Sequence, residues 1–467
     1  MNLINPEILR EYDIRGIFNN SLTLRDISLI ASKISSLLIS NNHKKLIIGH
    51  DGRESSLQIK NTLINKFISY GIDVEDISLV PTPVSYFMSK NLSIPNSIMI
   101  TGSHNPKEYN GLKITLFNKP FFGSDIKNLN NVDSIEIPAS KGILSFHDAI
   151  QIYSNKILSK FKNINNLKIV WDPGNGAIGS IIHKILDKIG GEHYILNRTI
   201  DGEFPNHHPD PTVLKNVVQI SNFIKGHNYD LGIAFDGDGD RVGVIDDNGN
   251  LVYSDIIFLL LTLELSKKKQ NLTAIADIKC SKILFDTLKQ NNVNILISKT
   301  GHSLIKEMIE KEEADIAGEM SGHIFYKYDY YGYDDAIYAS LKLIELINTN
   351  KKKLSQLTKP YSNSLTTPEI KLYVSEDKKV TTLHSIMEEI GVIYNSKDYT
   401  TLTIDGIRLE GKDFWFLIRA SNTQNCLVFR LEHFIKLSFK EEIEKLINIL
   451  SKYELDIHEL IDFNNTV

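Results

Sequence analysis

Leu231-Gly-Ile-Ala-Phe-Asp-Gly-Asp-Gly-Asp-Arg241 is an apolar run that ends abruptly in three carboxylates, two glycines and an arginine. The apolar half reads as a buried strand, which puts the acidic half in a loop at a strand's carboxyl end. Three carboxylates this close need a cation. Along a fully extended chain Asp236 and Asp238 would stand roughly 6.6 Å apart, too far for one small ion whose ligand oxygens lie at about 2.1 Å. Gly237 and Gly239 supply the freedom to curl. Uncompensated, neighbouring charges would repel by about 1 kcal/mol in water and about 4 kcal/mol in a partly buried cleft. Arg241 cancels only one of them.

Two simpler readings compete. An Asp/Gly-rich stretch after a strand is commonly a solvated turn. An EF-hand loop also repeats Asp at its first, third and fifth positions, but its sixth position wants Gly where this chain has Arg241, and its twelfth wants a bidentate Glu where this chain has Asp247. What remains is a hard divalent cation held by Asp236, Asp238 and Asp240 with an arginine beside it, a phosphate-handling arrangement.

At 467 residues the chain is too long for one core and suits three or four domains. A net charge of −5 argues against a general polyanion binder, so nucleic acid is not an expected partner and any phosphate site must be a local basic cluster. Cys280 and Cys426 belong to no CxxC pair and read as buried free thiols in a reducing compartment. The first fifteen residues alternate polar and apolar, carry Pro6 and lack the apolar core of a signal peptide. The longest apolar run, Ile256 to Leu263, is too short to cross a bilayer. The expected location is the cytoplasm, with no membrane partner, and the expected assembly a monomer or weak homodimer.

Strand-like runs alternate with amphipathic helical stretches over most of the length. Lys45 to His50 reads as a strand, Ser55 to Tyr70 as a helix, and Ser97 to Thr101 and Leu112 to Leu116 as strands. The pattern restarts with a strand at Leu167 to Trp171, a helix from Ala177 to Ile189 and a strand at Tyr194 to Leu196. It restarts again with a helix from Asp255 to Lys267, a strand at Thr273 to Asp277 and a helix from Ser281 to Gln290. Asn348 to Ser364, polar and carrying Pro360, looks like a linker. Beyond it come a strand at Glu369 to Val374, a helix at Thr381 to Ile390, strands at Thr401 to Ile404, Phe414 to Arg419 and Cys426 to Leu431, and a helix at Phe439 to Tyr453. The expectation is three consecutive mixed α/β domains, 1–148, 149–250 and 251–363, followed by a smaller α+β domain with an antiparallel sheet, 364–467.

Three further loops carry chemistry. Thr101-Gly-Ser-His-Asn-Pro106 follows a strand, where open α/β sheets bind ligands. It is also the composition of an ordinary turn. It is not the Gly-x-Ser-x-Gly elbow of acyl hydrolases, and the adjacent His104 is poorly placed to orient an acyl-transfer triad, so Ser103 reads as a phosphoryl acceptor. Gly318-Glu-Met-Ser-Gly-His323 puts Glu319, Ser321 and His323 on one short loop, a set suited to vicinal sugar hydroxyls, or else a polar turn. Arg419-Ala-Ser-Asn-Thr423 joins two strands with an arginine, two hydroxyls and an amide, as a phosphate dianion wants. Arg15, Lys113, Lys279 and His302 lie on other loops that could converge with it, though taken singly each reads as a surface charge. Gly174-Asn-Gly-Ala-Ile-Gly179 satisfies the dinucleotide-binding spacing, but the next strand ends at Leu196-Asn197 without the ribose-binding acid, so it reads as a tight strand-to-helix turn.

The four loops in this order resemble the α-D-phosphohexomutase family, most closely its bacterial phosphomannomutase/phosphoglucomutase branch. The likeness also takes in Tyr12 to Gly16, Gly49-His-Asp-Gly-Arg-Glu-Ser-Ser56, Pro81-Thr-Pro83, Phe204-Pro-Asn-His-His-Pro-Asp-Pro211, Asp277-Ile-Lys-Cys280, Lys299-Thr-Gly-His302 and Gly332-Tyr-Asp-Asp335. It implies domains arranged around a central cleft and a phosphoserine at Ser103. One Mg²⁺ would be bound by Asp236, Asp238, Asp240 and the Ser103 phosphate, with Arg241 supporting that phosphate. Glu319 and Ser321 would bind sugar hydroxyls, and Arg419, Ser421, Asn422 and Thr423 the phosphate that is not reacting, with Lys279 and His302 among the substrate contacts. His104, Lys113, Arg15 and His323 would surround the transferred group as acid/base or charge-stabilising residues.

The activity implied is reversible transfer between the 1- and 6-positions of mannose or glucose phosphate, through a bisphosphate sugar that turns end for end and with glucose 1,6-bisphosphate or a similar sugar as activator. Met320 and the start Thr101-Gly favour this over the phosphoglucosamine mutases, which usually show Gln and Ser-Ala there. The phosphate loop departs from the pattern, with Gln424-Asn425 for Glu-Pro and Ala420 where this branch often has Pro; neither removes a polar contact. A serine- and metal-dependent sugar phosphatase would share the nucleophile and cation but has no need of a second phosphate grip at Arg419. A non-catalytic sugar-phosphate binder would need the grip but not Ser103.

Overall fold

A computed structural model describes residues 3–133, 135–136, 139–161, 167–421 and 424–466. The chain builds four sheets in succession. The first runs in the order Ile14–Ile17, Tyr109–Leu116, Ser97–Ile100, Lys45–His50, Asp73–Leu79 and Leu144–Phe146. The second runs Leu251–Val252, Val242–Ile245, Leu231–Phe235, Lys168–Asp172 and Glu192–Ile195, and the third Asn294–Ser298, Thr273–Asp277, Ile316–Gly318 and Ile324–Tyr326. Each has a parallel centre with an antiparallel margin. In the fourth, Leu365–Thr366, Ile370–Tyr373, Thr400–Leu402, Ile407–Glu410, Phe414–Ala420 and Cys426–His433 pair antiparallel throughout. Three mixed α/β domains and a C-terminal domain with an antiparallel sheet are therefore present.

The central parallel strands are apolar because helices cover both faces: Ser97–Ile100 and Leu231–Phe235 are buried at every position. Such strands spend their polar chemistry at their carboxyl ends. Thr101-Gly-Ser-His follows Ser97–Ile100, the acidic loop follows Leu231–Phe235, Lys279 follows Thr273–Asp277, and Glu319 follows Ile316–Gly318. One apolar cluster runs through the first three domains, from Ile47, Val84 and Met99 through Trp171 and Phe235 to Phe258 and Leu341. The fourth domain has its own core around Ile386, Phe416, Phe429 and Ile443. It meets the third through a small apolar cluster, Ile278 and Ile297 against Trp415 and Leu417, and through hydrogen bonds. Arg408, fully buried and stacked 3.9 Å over Trp415, donates to the carbonyls of Ile278 and Cys280, and Arg430 donates to that of Lys279 at 2.6 Å.

The structure departs from the sequence expectations in several places. Helices Leu24–Ser40 and Ala336–Asn350, strand Ile407–Glu410 and helix His458–Thr466 lie outside the elements expected from periodicity. The expected helix from Ala177 to Ile189 is a 3-10 turn, Ala177–Ser180, followed by an α-helix, Ile182–Ile189. The expected linker from Asn348 is not one. Helix Ala336–Asn350 runs into it, Leu354–Thr358 is helical with Leu354 buried, and Ser355 donates its N–H and hydroxyl to Asp247 at 3.0 Å each. Its polar residues end and cap helices instead of spacing domains apart. Among the described residues no helix is long and apolar enough to cross a membrane.

Asp335 ties the second and third domains together and has a measurable signature. Buried, it accepts from Tyr153 at 2.8 and 2.9 Å, from Tyr330 at 2.8 Å and from the Tyr338 N–H at 2.9 Å, where it caps helix Ala336–Asn350. Burial pushes its pKa up to about 6 even though these donors favour the anion. A carboxyl raised on folding holds its proton more tightly in the folded state. Its contribution is therefore most favourable at low pH and is lost as pH rises from the ordinary carboxylate range, about 4, through 6. Denaturation midpoints of the native chain and of Asp335→Asn, measured from pH 4 to 7, should diverge with rising pH at the expense of the native chain. A constant difference would contradict this.

Candidate active site

Ser103 sits three residues beyond the end of its strand with φ at +47°, a left-handed conformation that costs a non-glycine residue about 1–2 kcal/mol. Its N–H is held by Thr101 Oγ1 at 2.7 Å, and its hydroxyl donates to Asp236 Oδ2 across the domain boundary at 2.9 Å. His104 Nδ1 lies 3.2 Å from the same oxygen, and burial holds that imidazole's pKa well below its ordinary value. Arg15 donates to the carbonyl of Gly102 at 2.8 Å and to Asn105 Oδ1 at 2.7 Å, and pairs with Asp13.

The acidic loop is wound around Asp236. Its Oδ1 accepts the N–H groups of Gly239, Asp240 and Arg241 at 3.0, 3.1 and 3.1 Å, which leaves Oδ2 for Ser103. Gly237 is required by packing, since a Cβ there would lie 2.5 Å from the carbonyl oxygen of Ser103. The Gly174–Gly179 turn presses on the other side: Ala177 N–H donates to Gly237 O at 2.9 Å, and a Cβ on Gly176 would meet that oxygen at 2.7 Å. Asp236, Asp238 and Asp240 are all fully buried. Burial, reinforced by the two neighbouring carboxylates, raises the pKa of Asp236. Asp238 goes the other way: burial opposes ionisation, but Lys113 at 2.7 Å and the Thr82 hydroxyl at 2.6 Å outweigh it. Lys113, which also pairs with Asp240, is raised because the surrounding carboxylates outweigh its own burial.

The loop 318–323 is stitched directly to the acidic loop. Arg241 and His323 form an antiparallel bridge, and Val242 N–H donates to Gly322 O at 3.1 Å. Arg241 Nε donates to His323 Nε2 at 2.9 Å, which puts the imidazole proton on Nδ1, facing Asp334 Oδ2 at 2.9 Å. Asp334 also takes Lys306 at 3.0 Å, with His302 at 3.7 Å. The rings of His302 and His323 stack at 5.3 Å. Glu319 accepts the Gly301 N–H at 2.8 Å, and burial raises its pKa. Ser321 is partly exposed on the same loop.

A second basic group lies on the third and fourth domains. Lys279 is buried and paired with Glu369 at 2.9 Å. Arg419 is buried, its Nε held by Asp405 at 2.9 Å, while its Nη2 has no hydrogen-bond partner among the described residues. Asp405 also accepts the Thr300 N–H at 3.2 Å, and Tyr12 donates to Thr300 O at 2.6 Å, so the first, third and fourth domains meet here. Ser421 stands on the same loop, its carbonyl bonded by Lys379 at 3.0 Å. Asn422 and Thr423 lie outside the described residues. Thr82, Asp334, Asp405 and Glu369, which hold these side chains in place, were not among the expected site residues. Thr82 and Asp334 do fall inside motifs quoted for the family resemblance.

A carboxylate oxygen from each of Asp236, Asp238 and Asp240 lies within 4.8 Å of the others, and among the described residues Oδ1 of both Asp238 and Asp240 is buried without a hydrogen-bond partner. Hard oxygen donors with unspent lone pairs fit a divalent cation such as Mg²⁺. A serine hydroxyl against such a cluster, with an arginine and a lysine beside it at the strand ends of a four-domain α/β chain, defines a phosphoryl-transfer enzyme.

Comparison places it more closely. Residues 6–129, 148–249 and 253–363 match the families described as phosphoglucomutase/phosphomannomutase alpha/beta/alpha domains I, II and III. A phosphomannomutase/phosphoglucomutase of Pseudomonas syringae pv. tomato is 37% identical over 431 residues, 92% of either chain. A phosphoglucomutase of Neisseria meningitidis serogroup A is 34% identical, covering 92% of this chain and 93% of its own. The crystal structure of a Burkholderia thailandensis phosphoglucomutase/phosphomannomutase family protein superposes with a TM-score of 0.87 at 30% identity, over 96% of this chain and 98% of that one. The chain belongs to the phosphoglucomutase/phosphomannomutase family, within the α-D-phosphohexomutases.

Asp238→Asn tests the cation site. It removes one of the charged ligands while keeping an acceptor for Thr82. The rise in thermal midpoint that millimolar Mg²⁺ produces in the native protein should shrink or vanish in the variant, and an undiminished rise would remove Asp238 from the site.

Proposed function

We propose that the chain catalyses reversible transfer of a phosphoryl group between the 1- and 6-positions of a hexose phosphate, mannose or glucose, through phospho-Ser103 and a hexose 1,6-bisphosphate. The observation that carries this reading is the pairing of two separate anion-handling centres. One is Ser103 Oγ at 2.9 Å from Asp236, and the other is Arg419 on a different domain, with a buried Nη2 that has no partner among the described residues. A mutase must grip one phosphate while it transfers the other. The names of the curated relatives, phosphomannomutase/phosphoglucomutase and phosphoglucomutase, support mannose and glucose over glucosamine.

In this reading the sugar hydroxyl attacks the phosphorus of phospho-Ser103. The new P–O bond forms as the bond to the serine oxygen breaks, and the hydroxyl proton passes to a base at the site. The proton that the sugar hydroxyl gives up balances the one the departing serine oxygen takes, and His104, 3.2 Å from Ser103 Oγ, is a candidate acid/base group for that exchange. Lys113, Arg15 and Arg241 supply positive charge, and His323, engaged by Arg241 and Asp334, orients that arginine. Mg²⁺ held by Asp236, Asp238, Asp240 and the Ser103 phosphate would supply charge neutralisation for the transferred group. Glu319 and Ser321 take the sugar hydroxyls. Arg419, Ser421, Asn422, Thr423, Lys279 and His302 take the distal phosphate end. After the bisphosphate turns end for end, the steps run in reverse and Ser103 is phosphorylated again. The reading includes glucose 1,6-bisphosphate as activator, a cytoplasmic monomer or weak homodimer, and domain boundaries near residues 148, 250 and 363.

Purified protein with Mg²⁺ and a trace of glucose 1,6-bisphosphate should convert mannose 1-phosphate or glucose 1-phosphate to the 6-phosphate faster than glucosamine 1-phosphate. Dominant release of inorganic phosphate would favour a phosphatase instead. Ser103→Ala should nearly abolish turnover. Arg419→Ala, which loses charged hydrogen bonds worth about 1.5–3 kcal/mol each, should raise KM by about tenfold or more. A large loss of kcat at unchanged KM would contradict the role given to Arg419.

A further inference from the structure

The stretch Gly49 to Ser56 has no part in the chemistry above, yet it contains a guanidinium buried against the back of the nucleophile loop. Arg53 is 3% exposed. Its Nη2 donates to the carbonyls of Ser103 at 2.8 Å and Asn105 at 2.7 Å, and its Nη1 to those of Pro106 at 2.6 Å and Tyr109 at 3.0 Å. Its Nε lies 3.2 Å from Asp51 Oδ2, the oxygen that also accepts the Gly102 N–H. Asp51 Oδ1 is fixed in turn by the Arg53 N–H at 3.0 Å and the Ser56 hydroxyl at 2.6 Å.

The loop is thus folded around an arginine, its carbonyls turned inward. We infer that Arg53 is a positioning residue for the nucleophile: by gathering four carbonyls between Ser103 and Tyr109 it holds Ser103 in its left-handed conformation with Oγ presented to Asp236.

Three observations support this. A Cβ on Gly102 would lie 2.5 Å from Arg53 Cζ and Nε, so the nucleophile loop carries a glycine where the guanidinium passes. The second domain backs the arginine: the Phe204 ring lies 5.0 Å from Arg53 Cζ, with Phe204 itself at φ +50°, and a Cβ on Gly202 would meet Arg53 Cα at 2.8 Å. The same segment carries Glu203, which pairs with Lys107 of the nucleophile loop. Arg53 therefore links Ser103, which supplies the nucleophile, to the domain that supplies the acidic loop. Four directed donors on one planar group are needed, and a lysine offers only a compact ammonium at the end of a flexible stem.

The inference rests on the mutase reading and is tested with Arg53→Lys. The variant should melt cooperatively and keep its KM for glucose 1-phosphate within about threefold. Its kcat should fall about a hundredfold, the scale set by misplacing a reacting group by about 1 Å. Single-turnover phosphorylation of Ser103 by glucose 1,6-bisphosphate, followed by intact mass, should slow by a similar factor yet reach full amplitude. Native rate with reduced amplitude would mean a misfolded fraction and would overturn the inference, as would kcat within twofold of the native enzyme. If Arg53→Lys does not fold, Asp51→Asn, which loosens the guanidinium without removing it, should lower kcat about tenfold at unchanged KM, and an unchanged kcat would be equally fatal. A native protein without turnover on any hexose 1-phosphate would sink the mutase reading and this inference with it, whereas an active native enzyme with an equally active Arg53→Lys sinks the inference alone.

Discussion

Three fully buried carboxylates within one short loop are the constraint on which the rest of this molecule depends. Isolated ionised groups cannot be taken out of water without compensation costing several kcal/mol each. Here no single domain supplies it. Asp236 is satisfied partly by its own loop's N–H groups and partly by Ser103 from the first domain, Asp238 by Thr82 and Lys113 from the first domain, and Asp240 by Lys113, with His323 of the third domain at 3.6 Å. The charge pattern therefore dictates that the first and second domains pack with their strand ends facing each other, and the Arg241–His323 bridge adds the third. Two carboxylate oxygens, Oδ1 of Asp238 and of Asp240, are still left over. Asp255 and Asp277 also each carry an unpartnered buried oxygen, but the two on Asp238 and Asp240 belong to a cluster of three carboxylates, an oxygen from each of which lies within 4.8 Å of the others, a candidate cation site.

The same constraint explains what the sequence made legible. Parallel strands buried on both faces are short apolar runs, and Lys45–His50, Thr273–Asp277 and Leu231–Phe235 stand where such runs are read. The acidic loop, the serine loop and the sugar loop are legible for a related reason: each concentrates polar residues immediately after an apolar run, a contrast that local patterning detects. Amphipathic helices with a mixed surface, such as Leu24–Ser40, blur that contrast, and the polar stretch after Asn348 resembles a linker because helix ends and spacers draw on the same residues. The residues that hold the site side chains escape for another reason. Asp405 next to Arg419, Glu369 next to Lys279 and Asp334 next to His323 are partnerships between elements distant in sequence, or between loops that meet only in three dimensions. Nothing in the spacing of an aspartate announces that its partner lies on another strand end.

Glycine placement shows a further layer that sequence spacing alone misassigns. Gly174 to Gly179 match a nucleotide-binding spacing, yet their role is steric: the turn presses its backbone onto Gly237, and Gly237 in turn approaches Ser103. Three backbones are stacked so closely that side chains on Gly176 or Gly237 would collide with the next layer. The nucleophile's backbone, the acidic loop and the turn behind it thus form one rigid stack, and the strained φ of Ser103 persists because its neighbours over-determine it.

The fourth domain stands apart in how it is held. The first three share a continuous apolar cluster, whose exposure would cost about 25 cal/mol for every Å² uncovered. The fourth keeps its own core and is joined to the third by a small apolar cluster, Ile278 and Ile297 against Trp415, Leu417 and Phe434, and by Arg408, Arg430 and Glu432, which bond the loop Ile278 to Ser281, and Asp405 against Thr300. Hydrogen bonds of this kind exchange for water at a net cost of about 1 kcal/mol each, far less than parting an apolar interface. A bisphosphate that must turn end for end needs room at one end of the site while the other stays intact. In the proposed reading the transfer centre lies among the three domains that share one apolar cluster, and Arg419, assigned there to the distal phosphate, sits on the domain that keeps a separate core and is joined by hydrogen bonds and only a small apolar contact.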